Sequence, residues 1–177
     1  YDQIISSNKL DEYGVRYENA VSMNKMAAGI VYTSQGVSFI LAGEEMARTK
    51  YGDTNSYISP ASINQINWQN IVDYADVVAY YRGMNEIKQH FTPFTTMGTE
   101  YDSAYIFNGT TTLTTSANQV AFTVTNDTEG EWKKVAVLHN AVNKAVNVTL
   151  KDTSCTSWVI IANDKHAGLK NLGEVTG

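Results

Sequence analysis

A chain of 177 residues has room for one or two domains with a sizeable core, and a formal charge of −5 excludes nucleic acid and anionic membrane as default partners. Two prolines, an aromatic content of 11 % and no long polar tract exclude a disordered chain. The longest apolar runs, 37–42 and 158–162, are too short to span a bilayer.

A single cysteine, Cys155, rules out an intrachain disulfide. It lies among Ser and Thr with no adjacent His or basic residue, the setting of an incidental thiol rather than a nucleophile. The chain opens on Tyr1 without a methionine, which reads as an excised or processed piece.

In chain order, residues 1–11 are polar and read as a loop. From about Val15 to Ser34, the residues Ala20, Met23, Ala27, Ile30 and Val31 recur at helical spacing, and Gly36 supplies a stop. The run 37–42 is continuous and apolar, the signature of a strand buried on both faces of a parallel sheet. Glu44 and Glu45 follow it. A polar segment then runs to Trp68, longer than most connections and therefore a candidate for function. Asn70, with Asp73 three residues on, opens a second helix whose stripe is Tyr74, Val77, Val78, Tyr81, Met84, Ile87 and Phe91, ended by Pro93.

After Thr95 the helical period vanishes. Short β-rich runs at 104–107, 120–125, 135–140, 145–150 and 158–163 alternate with turn signals such as Asn108-Gly109 and Glu129-Gly130. The alternation of Val120, Phe122 and Val124, and of Val146, Val148 and Leu150, suits strands with one buried face. The expected fold is α+β, with a boundary near residue 94 between a helix–strand–helix unit (1–94) and an antiparallel β-sandwich (95–177).

The residues 36–45, Gly-Val-Ser-Phe-Ile-Leu-Ala-Gly-Glu-Glu, resemble the eighth-strand motif of the type I pullulanases, starch-debranching enzymes of the alpha-amylase superfamily. Arg48-Thr49-Lys50, Asn55-Ser56-Tyr57 and Ile63-Asn64-Gln65-Ile66-Asn67-Trp68 resemble that family more specifically, and Met23–Ala28 with Thr33–Gly36 resemble its seventh helix. Ser38 departs from the family's usual proline and Ala61 from a small acidic residue. The resemblance implies that 1–94 is the last strand and flanking helices of a (β/α)8 barrel, with the closing strand of the sandwich expected beyond Gly177. It implies a parent that cleaves α-1,6-glucosidic linkages in pullulan, amylopectin or glycogen by a retaining, two-carboxylate mechanism.

The family's catalytic acids lie on earlier strands, the last in a His-Asp-Asn motif. No His-Asp pair occurs here, and His90, His139 and His166 all lie downstream of the strand motif. The chain is therefore expected to hold no catalytic residue and to be inactive alone. The alternative is a non-catalytic carbohydrate-binding or structural β module, with Trp132 as its exposed aromatic.

Sugar contact is expected from Asp53, Asn55 and Tyr57. Amide and carboxylate groups can bind vicinal hydroxyls there, and an aromatic face can take the sugar's apolar side. Glu44 and Glu45, adjacent and pointing apart, read as braces, one of them paired with Arg48; Asn64 and Trp68 read as anchors of the loop. Spacing around Asp53 and Asn55 does not match a calcium loop, so no metal is expected, nor any cofactor. The implied partner is an α-glucan. The run 37–42, bare on both edges, is expected to pair between molecules or to be covered by the two helices. The resemblance implies a secreted or cell-surface bacterial enzyme, a cytoplasmic one being the alternative. The sequons at Asn108, Asn126 and Asn147 carry no weight in such an enzyme.

Overall fold

The computed structural model describes residues 1–96, 105–106, 118–148 and 155–176. Its elements are α1 (Asp2–Ser7), α2 (Glu18–Thr33), α3 (Ala61–Asn64), α4 (Asn70–Asp73), α5 (Ala75–His90), β1 (Tyr105–Ile106), β2 (Gln119–Thr125), β3 (Lys134–Asn140), β4 (Ser157–Ile160) and β5 (Gly173–Thr176). The architecture is α+β with two small antiparallel sheets, one ordered β1-β2-β3 and the other β4-β5.

The core forms where α2 and α5 lie together on the three-stranded sheet. From α5 come Val77, Tyr80, Tyr81, Met84 and Ile87, continued past its end by Phe91 and Phe94, both fully buried. Their three- and four-residue spacing places them on one helix face. Phe122, Val124 and Val137 meet them from β2 and β3. Register pairs Phe122 with Val137 and Val124 with Val135.

The second expected helix is present, but Tyr74 divides it: its φ of −120° ends α4 before α5 begins. The residues expected as a loop at the N-terminus form α1, whose Ile5 is completely buried. A six-residue helix carries too little periodicity to stand out among polar residues.

On α2 the expected stripe is turned. Ala20 is buried, but Met23, Ala27 and Ile30 face solvent and Val31 is half-buried. The inward face is Ala20, Val21, Asn24, Lys25, Ala28, Gly29, Tyr32 and Thr33. It is small and polar because Asp76 and His139 meet it: Lys25 Nζ donates to Asp76 Oδ2 at 2.8 Å. Arg16 closes the same carboxylate from outside at 2.9 Å and also pairs with Glu18.

The run 37–42 is not a strand. Val37, Phe39 and Leu41 are exposed at 77 %, 91 % and 55 %, while Ile40 packs on the core and the Ser38 hydroxyl donates to Val31 O. The alternation of a strand survives without a ladder, since no described residue offers a neighbouring edge. The expectation that the two helices cover this run is overturned on its outer side.

In the β half, β2 and β3 fall where expected. β2 buries residues on both of its faces, Ala121 and Thr123 along with Phe122 and Val124, so the one-face pattern expected of it fails; Val120 is half-exposed. β4 matches the start of the expected 158–163 run. β1 falls within the expected 104–107 run, whose end residues 104 and 107 lie outside the described residues together with the Asn108 turn. Residues 145–148 form no strand, and the rest of that run also lies outside the described residues. β5 lacks an apolar run and escapes sequence reading. The β4–β5 connection reaches α5, where Gly83 lies so close to Ala167 O that a Cβ would sit 1.9 Å from it.

Candidate functional site: the loop after residue 42

The loop begins at Gly43, whose φ of +91° is a left-handed value that side chains rarely take; a Cβ would also come 2.9 Å from Arg48 Cδ. Glu44–Met46 then form a single 3-10 turn. Glu44 accepts from the Leu41 amide at 3.2 Å and Glu45 from the Gly43 amide at 3.0 Å. Both carboxylates brace backbone, as expected of them, but neither is ion-paired with Arg48 among the described residues. The Arg48 guanidinium instead donates to Ala42 O at 3.0 Å and to Asn64 O. Arg48 thus ties the entrance of the loop to its far end.

Further ties hold the middle. Lys50 Nζ donates to Ser56 Oγ at 2.6 Å, and the Asn64 amide donates to Ser56 O at 2.7 Å and Ser59 O at 2.9 Å. Asn70 Nδ2 reaches Met46 O at 3.1 Å. From α1, Asp2 Oδ2 accepts from the amides of Lys50 and Gly52. Asp2 is separated from Lys50 by most of the helical unit, and no local signal in the sequence points to this clamp. Ala47 and Tyr51 hold left-handed φ values of +55° and +54°, backbone strain of the kind that binding loops carry. Asn64 is thus the anchor that the sequence suggests, whereas the Trp68 side chain is 65 % exposed.

Within this frame the three expected sugar-binding residues differ. Asp53 is occupied: Oδ1 accepts from the Asn55 amide at 2.9 Å and Oδ2 from the Ser59 hydroxyl at 2.5 Å. The Ser59 hydroxyl, followed by the Asn55 amide, holds its carboxyl below the usual carboxylate range. Asn55 is exposed, and Tyr57, 81 % exposed, stands in solvent beside Ile58. Asp53 therefore shapes the turn, and Asn55 and Tyr57 are presented by it.

A cleft of about 150 Å³ opens on the neighbouring side of the loop, between Tyr13, Arg48, Thr49, Tyr51, Asn67 and Asn70. Asp53, Asn55 and Tyr57 do not line it. It is smaller than the roughly 300–1,000 Å³ of a usual small-molecule site. Among the described residues no group of His, Cys, Asp and Glu is arranged to hold a metal, and no helix is long and apolar enough to cross a membrane.

The aromatic candidates in the β half are engaged. Trp132 lies edge-on to His90 at 4.6 Å and against Phe91 at 6.3 Å, and Trp158 is half-buried opposite Val175. Asn126 is buried and its amide donates to Glu131 Oε2 at 2.7 Å. Glu131 also accepts from the amide and hydroxyl of Thr92, joining the end of α5 to the β2–β3 turn.

No protein-family model matches the chain. It is 33 % identical over 121 residues to the pullulanase of Bacillus subtilis strain 168, covering 68 % of this chain and 16 % of that protein. The pullulanase structure from Bacillus acidopullulyticus superposes with a TM-score of 0.77 at 29 % identity, covering 99 % of this chain and 20 % of that one. A pullulanase from Anoxybacillus sp. LM18-11, complexed with maltotetraose, superposes with a TM-score of 0.64 at 25 % identity, over 78 % of this chain and 20 % of that one. By sequence over two thirds of its length and by fold over nearly all of it, the chain belongs to the pullulanase family, matching about a fifth of the length of its members.

Proposed function

We propose that the chain serves as the C-terminal part of a starch-debranching glycoside hydrolase that cleaves α-1,6-glucosidic linkages, contributing substrate contacts and no catalytic acid. The observation that carries this reading is the superposition of nearly the whole chain on a pullulanase at a TM-score of 0.77. On this reading 1–94 is the end of a catalytic barrel and 95–177 a β-sandwich domain, and the parent acts outside the cell or at its surface. Asn55 and Tyr57 face the glucan from the loop that Asp53, Arg48 and Asn64 hold in shape. The maltotetraose carried by a relative supports an α-glucan as the ligand class.

The competing reading, a carbohydrate-binding β module, loses its best residue to packing, because Trp132 is engaged by His90 and Phe91.

Titrating maltotetraose into the 177-residue chain, followed by isothermal calorimetry or Tyr and Trp fluorescence, tests the assignment. Weak saturable binding that is lost in Asn55→Ala and Tyr57→Ala is the expected result. Binding unchanged in both, or lost only in Trp132→Ala, overturns the loop assignment. Release of reducing ends from pullulan by the purified chain overturns the expectation that the acids lie elsewhere.

A further inference from the structure

We propose that the seat of α2 on the three-stranded sheet is acid-sensitive, and that protonation of His139 is what loosens it. Nothing in the proposed function uses this group.

β3 carries His139 opposite Val120, and its side chain crosses to α2. The imidazole lies against the bare backbone of Gly29, where a Cβ would come 3.3 Å from its Cε1. Its Nε2 is 3.3 Å from Thr33 Oγ1, and the Phe122 ring lies 6.5 Å away. The Thr33 hydroxyl already donates to Gly29 O at 2.8 Å, so it meets the imidazole as an acceptor. That assigns the ring proton to Nε2 and leaves Nδ1 bare, with no hydrogen bond among the described residues.

The groups around the ring do not welcome a second proton. From α5 come the Tyr80 hydroxyl, 3.9 Å from the same Gly29 position, and the Lys88 ammonium, which donates to Ser34 O at 2.7 Å just beyond Thr33. Lys25, on α2 itself, is paired with Asp76. Asp164, in the β4–β5 connection, acts on Tyr80. β2 presents Val120 and Phe122, which do not ionise. Among the described residues no carboxylate is bonded to the imidazole, so nothing there offsets the cost of burying a second charge. Burial accordingly holds His139 below the ordinary histidine range.

The sign follows from proton linkage. With the ring's affinity for a proton depressed in the closed state, the open state binds more protons. Closure is complete above the ordinary histidine value of about 6.5 and weakens as pH falls through it. The turn affected, Gly29 to Thr33, leads directly into 37–42 and the loop beyond, so mild acid frees the segment on which that loop is mounted.

Hydrogen exchange across α2 at about pH 7.5 and about pH 5.5, corrected for intrinsic rates, reads the opening, and an NMR titration of the His139 ring reads the proton. The expected result is a ring that titrates below about 6.5, together with a several-fold rise in opening at Thr33 and Ser34 in acid that His139→Gln abolishes. A ring titrating at or above that value, opening that ignores pH, or an unchanged acid response in His139→Gln overturns the proposal. Should His139→Gln not fold, the wild-type titration and exchange decide it alone.

Discussion

Two helices of equal length face each other in this protein, and they were built to different rules. α5 buries what its sequence advertises, with aromatic and aliphatic residues on the inner face and, of its charges, only Lys88 buried with them. α2 buries Asn24, Lys25, Gly29 and Thr33 and leaves Met23 and Ile30 in the open. The comparison teaches that an apolar stripe locates a helix reliably but orients it only when one face is decisively apolar. On α2 the inward residues are selected by their partners, a carboxylate on α5 and an imidazole on β3, and by the closeness of the approach.

The largest expected effect comes from the face that sequence reads correctly. Phe91 is fully buried, 5.0 Å from the Phe94 ring and against Trp132. Phe91→Ala is expected to cost about 3–5 kcal/mol, the usual range for a large cavity in a core, measured by urea unfolding. A loss below about 1 kcal/mol shows that the α5 face is not the centre of the core.

What the sequence made legible follows the same physics. α5, β2 and β3 come from strong periodicity, and the bracing role of Glu44, Glu45 and Asn64 follows from their place at the ends of a polar loop. α1 and β5 were illegible because short elements have no period to read. The run 37–42 misled because a continuous apolar segment means a buried strand only if there are edges to pair with. Asp53 was read as a sugar ligand, and in the structure each of its oxygens also accepts one hydrogen bond from its own turn. Asp and Asn favour such local bonds, and composition cannot tell the two uses apart. The long-range ties, Asp2 to Lys50 and Lys25 to Asp76, have no local signature at all.

Glycines on the two helices sharpen the contrast. Gly83 on α5 meets backbone, since a Cβ would sit 1.9 Å from Ala167 O, whereas Gly29 on α2 meets the edge of a side chain at 3.3 Å. Helix propensity alone gains about 1 kcal/mol from either Gly→Ala change. Gly83→Ala is nevertheless expected to be destabilising by about 1–3 kcal/mol, because the β4–β5 connection must move away, while Gly29→Ala stays near neutral. Thermal melts of the two variants give the comparison, and equal effects refute the close approach.

The charged seat of α2 is expected to matter less. Asp76→Asn leaves the Lys25 ammonium, only 8 % exposed, without its counter-charge, yet the carboxylate itself is 43 % exposed and solvent screens it. A loss of about 1–2 kcal/mol near neutral pH is expected, with Lys25→Met closer to neutral. Arg16 first, and Lys25 after it, hold the Asp76 carboxyl well below the usual carboxylate range. Its contribution is therefore present above the unfolded value of about 3.9 and fades as pH falls further. Urea midpoints of wild type and Asp76→Asn should converge in strong acid; a gap that stays constant removes the ionic explanation.

The smallest effect belongs to the outward face of α2 and the run that follows it. Ile30, Val37 and Phe39 are exposed, so Ile30→Gln and Phe39→Ser are expected to change the stability of the isolated chain by no more than about 0.5 kcal/mol. The prediction is informative because of its size. Exposed apolar residues in a row, with the alternation of a strand and no ladder, form a surface suited to another strand or sheet. If either substitution costs more than about 1 kcal/mol, something covers this face in solution. Sedimentation at several concentrations then decides whether it is a second copy. Pairing between copies predicts an apparent stability that rises with protein concentration in wild type and not in Phe39→Ser. A flat dependence in both leaves the helix facing water, and its apolar residues then mark a surface that α2 does not use within this chain.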